Sequence, residues 1–294
     1  MSQDTQSRRF GWLRDLPDLR DYLPSSPRAA PFNRLLGAQN LSGRLTINVG
    51  NQVWKLPDRN DLREWCSPVE DQGMLGSCSS QACVGMVEFY ECLAFGRHID
   101  ASRLFVYKLA RDLNGLQGDM GSYLRGNIGA LRLFGAPPEK WWPYDPAMVD
   151  AEPPAKVYAL AANFKSMVYF RLDSPQTAPD QVLVMAKQLL VAKRPWVFGV
   201  PVYQQIFNAP DGKILFPTPG DVVIGGHAMM ACGYDDAMVV GQDTGAFLIR
   251  NSWGQGWGMG GYGWLPYRYV LYPLAWDLWS IMSQEWVDTG HFMV

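Results

Sequence analysis

The chain has 294 residues, 48% of them hydrophobic, enough to bury the core of one or two compact units of ordinary size. Its 26 basic and 28 acidic side chains leave a net charge of −2, so bulk electrostatics give no ground for a nucleic-acid or anionic-membrane partner. Five cysteines, an odd number with two inside one expected helix, argue against a disulfide framework and for a reducing compartment.

Met1 to Ala30 carries charges throughout and no apolar run of signal-peptide length. The expected location is therefore the cytoplasm, or outside it by a route other than a Sec-type signal. Residues 1–55 show neither helical nor strand period, and Pro24, Pro27, Pro31 and Gly37 break what pattern there is. They are expected to form an extended strap anchored through Trp12, Tyr22, Phe32 and Trp54. It either crosses a cleft or packs on the back of a lobe. Leu16-Pro17-Asp18-Leu19-Arg20-Asp21 is echoed by Leu56-Pro57-Asp58-Arg59-Asn60-Asp61, too short a match to establish a repeat.

Asp71 to Ser77 is a turn-rich loop that runs into a helix beginning at Cys78. The helix is read from Ala82, Val84, Met86, Val87, Phe89, Tyr90, Leu93 and Phe95, spaced mostly by three and four, and from Gly96 as its stop. Unpaired N–H groups and the positive dipole end at a helix start favour a thiolate, which makes Cys78 a candidate nucleophile. Gln72 lies six residues earlier, with Gly73 and Gly76 letting the loop fold back, so its amide can reach the thiol.

Ser102–Arg111 and Leu124–Phe134 read as further helices, with a glycine-rich loop from Asn114 to Tyr123 between them. From Lys156 to Arg171 the pattern turns from helical to stranded. The expected division is an extension 1–55, a helical lobe 56–163 with Cys78, and a β-rich lobe 164–294. In the last, Gln181–Ala192 reads as a helix, and Trp196–Val200, Lys213–Phe216, Ala228–Cys232 and Ala246–Ile249 as short strands. The apolar stretch Val182–Val200 is broken by Lys187, Lys193, Arg194 and Pro195, so no membrane span is expected. His227 stands just before one of these strands and Asn251 just after another, giving the order Cys, His, Asn.

Gln72-Gly-Met-Leu-Gly-Ser-Cys78, His227-Ala228 before an apolar strand and Gly233-Tyr234, and Asn251-Ser-Trp-Gly-Gln-Gly-Trp-Gly258 together resemble the papain-like cysteine peptidases. Cys78 and His227 are 149 residues apart, against roughly 130–150 in that family. The resemblance implies an α+β fold of two lobes, helical and barrel-like, with the cleft between them. It also implies an endopeptidase; the family's longer helical propeptide has no counterpart in residues 1–55, and restraint by this shorter segment is expected only if it is the cleft that the segment crosses. Cys78 and His227 would form a thiolate–imidazolium pair, Asn251 would orient the imidazole under the cover of Trp253, and Gln72 would help hold the oxyanion. By the same resemblance Gly121 and Ser122 pair with substrate main chain, Tyr123 borders the pocket for the second residue before the cut, and Gly226 and Ala228 flank the site beside His227. Trp141-Trp142-Pro143-Tyr144 matches a structural signature.

Two departures stand out. Leu75 replaces a cysteine that many relatives use in a disulfide, and Ser79 replaces the tryptophan that usually follows the nucleophile. The expected partners are a peptide or protein substrate and the chain's own N-terminal segment, with no cofactor and no metal. Acyl or amide transfer on the same residues, and a peptide-binding module that has lost catalysis, are the alternatives.

Overall fold

The computed structural model describes residues 8–18, 21–23, 46–49, 52–162 and 167–284. A short strand, β1 (Trp12–Leu13), is followed by a hairpin of β2 (Thr46–Val49) and β3 (Gln52–Lys55), in register Thr46↔Lys55. The hairpin differs from the strand-poor reading of this region. The alternation in Thr-Ile-Asn-Val and Gln-Val-Trp-Lys around Gly50-Asn51 is the signal that reading passed over. β4 (Arg59–Asp61) comes next.

The helical half begins with α1 (Cys78–Phe95), which is closed by Gly96 at φ 68°. α1 is buried on almost every side as far as Phe89, because helices flank it on one side and a sheet on the other. α2 (Arg103–Leu113) is capped by the Ser102 hydroxyl, which accepts from the Phe105 N–H. β5 (Ser122–Tyr123) leads into α3 (Leu124–Leu133), and α4 (Ala155–Ala161) completes this half. Between α1 and α2 the Arg103 guanidinium donates to both Glu88 carboxylate oxygens at 2.9 and 3.0 Å, so neither buried charge is unpaired.

The second half holds β6 (Met167–Arg171), α5 (Pro179–Val191), β7 (Trp196–Tyr203), β8 (Val223–Val240), β9 (Asp243–Arg250), β10 (Tyr262–Pro266), α6 (Arg268–Leu271) and β11 (Trp276–Gln284). Its sheet runs β10-β9-β8-β7-β11-β6, antiparallel throughout, with β4 also paired to β8. β8 is eighteen residues long, where the sequence suggested only Ala228–Cys232. Its register shifts between Ala231 and Gly233, and again between Asp235 and Val239, bend it so that it serves β7, β9 and β4.

Lys213–Phe216 is not a strand: only Lys213 bridges to Trp264, and Leu215 is exposed. Trp141, expected in the core with its neighbours, is 40% exposed, and Lys156 lies over its ring. The lobe boundary expected near residue 164 lies outside the described residues. All five cysteines are free and buried.

Candidate active site

The two halves meet through backbone. Gln72 N–H donates to the Ser252 carbonyl at 2.9 Å, Gly254 N–H to the Glu70 carbonyl at 2.9 Å, and Leu62 N–H to the Cys232 carbonyl at 2.8 Å. The loop entering α1 is thereby fixed against the turn that follows β9. Tyr144 holds its other side, donating to the Gln72 carbonyl at 3.0 Å and sharing a hydrogen bond with the Ser77 hydroxyl. Of the aromatic signature near 141–144, this tyrosine supports the loop directly.

Cys78 opens α1 and His227 lies in β8. The N–H of Ala228, next to His227, reaches the Cys78 sulfur, as do those of Ser79 and Gly11. His227 Nε2 donates to Asn251 Oδ1 at 2.7 Å, and the same oxygen accepts the Ser252 N–H at 2.8 Å. With Nε2 so engaged, Nδ1 is left without a hydrogen-bond partner. Trp253, only 3% exposed, lies 4.9 Å from the imidazole between ring centroids and shields the His227–Asn251 bond. The Gln72 side chain accepts from Ser252 Oγ at 2.6 Å, and its Nε2 donates to the carbonyls of Leu75 at 2.8 Å and Arg9 at 3.2 Å. Cys78, His227, Asn251 and Gln72 thus converge on one point.

Residues 8–13 run across that point. The Gly11 carbonyl accepts from Ser122 N–H at 2.7 Å, and β1 pairs with β5 in parallel, Trp12↔Ser122 and Leu13↔Tyr123. Trp12 fills a recess whose floor is backbone: a Cβ on Gly199 would sit 1.9 Å from the indole, and one on Gly226 2.7 Å from the Trp12 carbonyl oxygen. Its Nε1 donates to Asp277 Oδ2 at 3.1 Å, and Asp15 N–H donates to the same oxygen at 2.9 Å. Asp15 in turn pairs with Arg125, and Asp277 with Arg171. Phe10 stands edge-on to His227 at 6.2 Å. Gly121, Ser122, Tyr123, Gly226, Ala228 and Trp253, the six expected substrate-binding residues, all lie along this segment or beside the thiol it covers.

Burial decides the charges. Cys78 and His227 are both 0% exposed. Loss of water raises the Cys78 thiol above its ordinary pKa, against the three N–H groups. It lowers His227 to about 4, with Asn251 opposing and Arg8 adding to the fall. Both shifts run against the thiolate–imidazolium pair expected from sequence: burial under the segment favours the neutral thiol and the neutral imidazole. The helix-start argument holds for an open site and is outweighed here by desolvation. Burial also lifts the Asp277 carboxyl to about 7, more than Arg171 brings it down.

Ser79 donates to the Ser122 carbonyl at 3.0 Å and is fully buried. It ties the start of α1 to the strand that pairs with the N-terminal segment. Leu75, in place of the disulfide cysteine, packs into the core. Sequence reading passed over Asp277 and Asp71. The signal for Asp277 was a lone carboxylate in the apolar run Trp276-Asp277-Leu278-Trp279. Asp71 gave none, as turn loops commonly carry aspartate. Among the described residues no group of three His, Cys, Asp or Glu is placed to hold a metal ion. No helix among them is long and apolar enough to cross a membrane.

A helical half that presents a cysteine at a helix start to a histidine and an asparagine on an antiparallel sheet defines the class of papain-like thiol hydrolases. The papain family cysteine protease model matches residues 56–269, and the chain belongs to that family. It is a cysteine peptidase by type, with the two-lobed α+β fold of the family. It is 31% identical over 290 residues to an uncharacterized peptidase C1-like protein of Acanthamoeba polyphaga mimivirus, covering 96% of this chain and 89% of that one. It is 30% identical to xylellain, a cysteine protease from Xylella fastidiosa, with a TM-score of 0.72 and coverage of 96% and 99%. An aleurain-like thiol protease of Arabidopsis thaliana is 28% identical over 238 residues, 78% of this chain and 61% of that protein.

Proposed function

We propose that the protein hydrolyses internal peptide bonds through Cys78, and that its N-terminal segment restrains it by occupying the cleft. The observation that carries this reading is the course of residues 9–12, with the Arg9 carbonyl on the Gln72 amide and the Gly11 backbone on the Cys78 sulfur. Gln72 meets that carbonyl as it would meet the oxygen of a bound substrate. The Gly11 N–H lies toward the sulfur, where it favours the thiolate that the buried site otherwise opposes.

With the segment displaced, water returns to Cys78 and His227, and the proton moves from sulfur to Nδ1. The thiolate adds to a peptide carbonyl carbon, and the Gln72 amide donates to the oxyanion. His227 then gives its proton to the amine as the C–N bond breaks, leaving a thioester on Cys78. Water, deprotonated by His227, attacks that thioester, and the acid and the thiol are released. Asn251 keeps Nδ1 turned toward the sulfur by holding Nε2.

The test uses the full chain carrying Gly11→Val, whose side chain would collide with the Gly76 backbone and crowd the segment out of the cleft, with a quenched fluorescent peptide and short quench times. A mass increase equal to the acyl portion, confined to Cys78 and absent in Cys78→Ala, is the expected result. Turnover that survives Cys78→Ala, or products that form only when an amine is added, would overturn hydrolysis by this route.

A further inference from the structure

Beside the candidate site a cavity of about 410 Å³ opens between Asp71, Phe207, Pro210, Trp253 and Trp257, and Arg8 reaches into it. Arg8 Nη1 donates to Asp71 Oδ1 at 2.8 Å, and Nη2 donates to Asp71 Oδ2 at 3.3 Å and to the Trp253 carbonyl at 3.2 Å. The guanidinium carbon stands 5.3 Å from the centroid of the Trp253 ring. A carboxylate, a carbonyl oxygen and the face of an indole all favour a cation, and a planar one above all.

Neither half of this cradle depends on Arg8. Asp71 is bridged by its backbone to Trp253, and its Oδ1 accepts the Gly73 N–H at 2.9 Å. The Trp253 ring is stacked on Phe207 at 5.5 Å and 14°. If the N-terminal segment leaves, Arg8 leaves with it, and a half-exposed carboxylate remains facing the cavity. Arg9, the next cation in the segment, is engaged elsewhere, with Asp119.

We propose that this cradle is a specificity site for an arginine or lysine side chain on the leaving-amine side of the cleaved bond, with Asp71 as the selecting residue. The proposal rests on the peptidase reading above. In that reading the residues before the cut lie along Gly121 and Ser122, where Gly11 to Leu13 now pair with β5. Asp71 and Trp253 lie in the other half of the cleft, past His227, where the leaving amine must go. The site discriminates by charge: arginine recovers the contacts of Arg8, alanine leaves Asp71 solvated, and glutamate meets a like charge.

The test uses the full-length chain carrying Arg8→Ala, Gly11→Val and Cys78→Ala, which vacates the cradle, crowds the segment out of the cleft and prevents cutting. Fluorescent peptides identical except for Arg, Ala or Glu at each of the first three positions after the scissile bond are titrated by anisotropy. At one position Arg is expected to bind about tenfold more tightly than Ala, with Glu weaker still. Asp71→Asn, which keeps an oxygen for the Gly73 N–H, should shrink the Arg preference to below about twofold. Equal binding of Arg and Ala peptides at all three positions, a preference that survives Asp71→Asn, or no binding by any peptide overturns the proposal. The same peptides offered to the chain with Cys78 restored report separately on hydrolysis, so a charge preference without cutting would fault the peptidase reading and leave the cradle standing.

Discussion

Gly11 is the residue on which the covered state turns, and Gly11→Val is the sharpest perturbation of it. A Cβ at this position would lie 1.7 Å from the Gly76 carbonyl oxygen, 2.2 Å from its carbon and 2.5 Å from its Cα. All three are backbone atoms of the loop that Tyr144 and the Ser252 carbonyl clamp in place, so they cannot yield cheaply. Ordinary contact needs well over 3 Å, and the segment must therefore retreat by about 2 Å. That retreat breaks the bonds from Ser122 N–H to the Gly11 carbonyl and from Gln72 to the Arg9 carbonyl, at about 1 kcal/mol each. Overpacking adds about 1–3 kcal/mol. A loss of about 3 kcal/mol corresponds to a roughly hundredfold larger open fraction.

The assay is intact mass after brief exposure of the full chain to a peptidyl epoxide. Gly11→Val should take up a single label about a hundred times faster than the wild type, and Gly11→Val/Cys78→Ala none. The other four cysteines are buried and serve as an internal control. Equal labelling rates in a Gly11→Val chain that melts cooperatively would refute the argument that the Gly11 contact closes the site.

Opening moves the Cys78 proton to His227 without taking one from solvent, so between pH 5 and pH 7 the pair by itself leaves covering independent of pH, although burial lowers His227 to about 4 in the covered form. Asp277 is raised to about 7 beneath Trp12, so to the extent that the indole causes its burial the covered form binds a proton that the open form releases, and covering strengthens as pH falls through 7. The ratio of wild-type to Gly11→Val labelling rates cancels the intrinsic chemistry of the thiol; it should fall between pH 7 and pH 5, and Asp277→Asn should flatten it. A ratio that rises toward one over this range would contradict this linkage. Asn251→Ala leaves His227 Nε2 and the Ser252 N–H unpaired in a buried site, and should cost about 1–3 kcal/mol of stability and about a hundredfold in kcat. Denaturant melts and steady-state kinetics on the Gly11→Val background would show a smaller role if kcat fell less than tenfold. Ser79→Ala should lose about 1 kcal/mol with its bond to the Ser122 carbonyl. Ser79→Trp, which restores the family residue at a fully buried position, should lose about 1–3 kcal/mol through overpacking, and a stabilised Ser79→Trp would show that the packing there has room.

Much of the site is local in origin and could be read without the fold. Cys78 stands where a turn-rich loop meets the first residue of an apolar-periodic helix, and α1 begins and ends where that periodicity says. His227 lies in β8 at the start of its apolar run and Asn251 directly follows β9, positions that the apolar runs and turn residues mark, and the Asn-Ser-Trp-Gly run follows as a turn. The errors in the fold also have local causes. Lys213–Phe216 has the composition of a strand but meets the sheet only through the Lys213 bridge and the Ile214 N–H bond to Trp264, and β8 runs far beyond its apolar stretch because its polar residues still find partners on β4 and β9.

What tertiary structure alone decided is the state of the site. Whether residues 8–13 cross the cleft or pack behind a lobe depends on Gly11 meeting Gly76, Trp12 meeting Asp277 and Arg8 meeting Asp71, separations of tens to hundreds of residues that carry no periodic trace in the sequence. The same holds for ionisation. A helix start and a nearby imidazole favour a thiolate from local chemistry, but pKa values answer to the water around a group. The sequence determined which residues face one another across the cleft, and the docked segment, by excluding solvent from Cys78 and His227, shifts both toward their neutral forms.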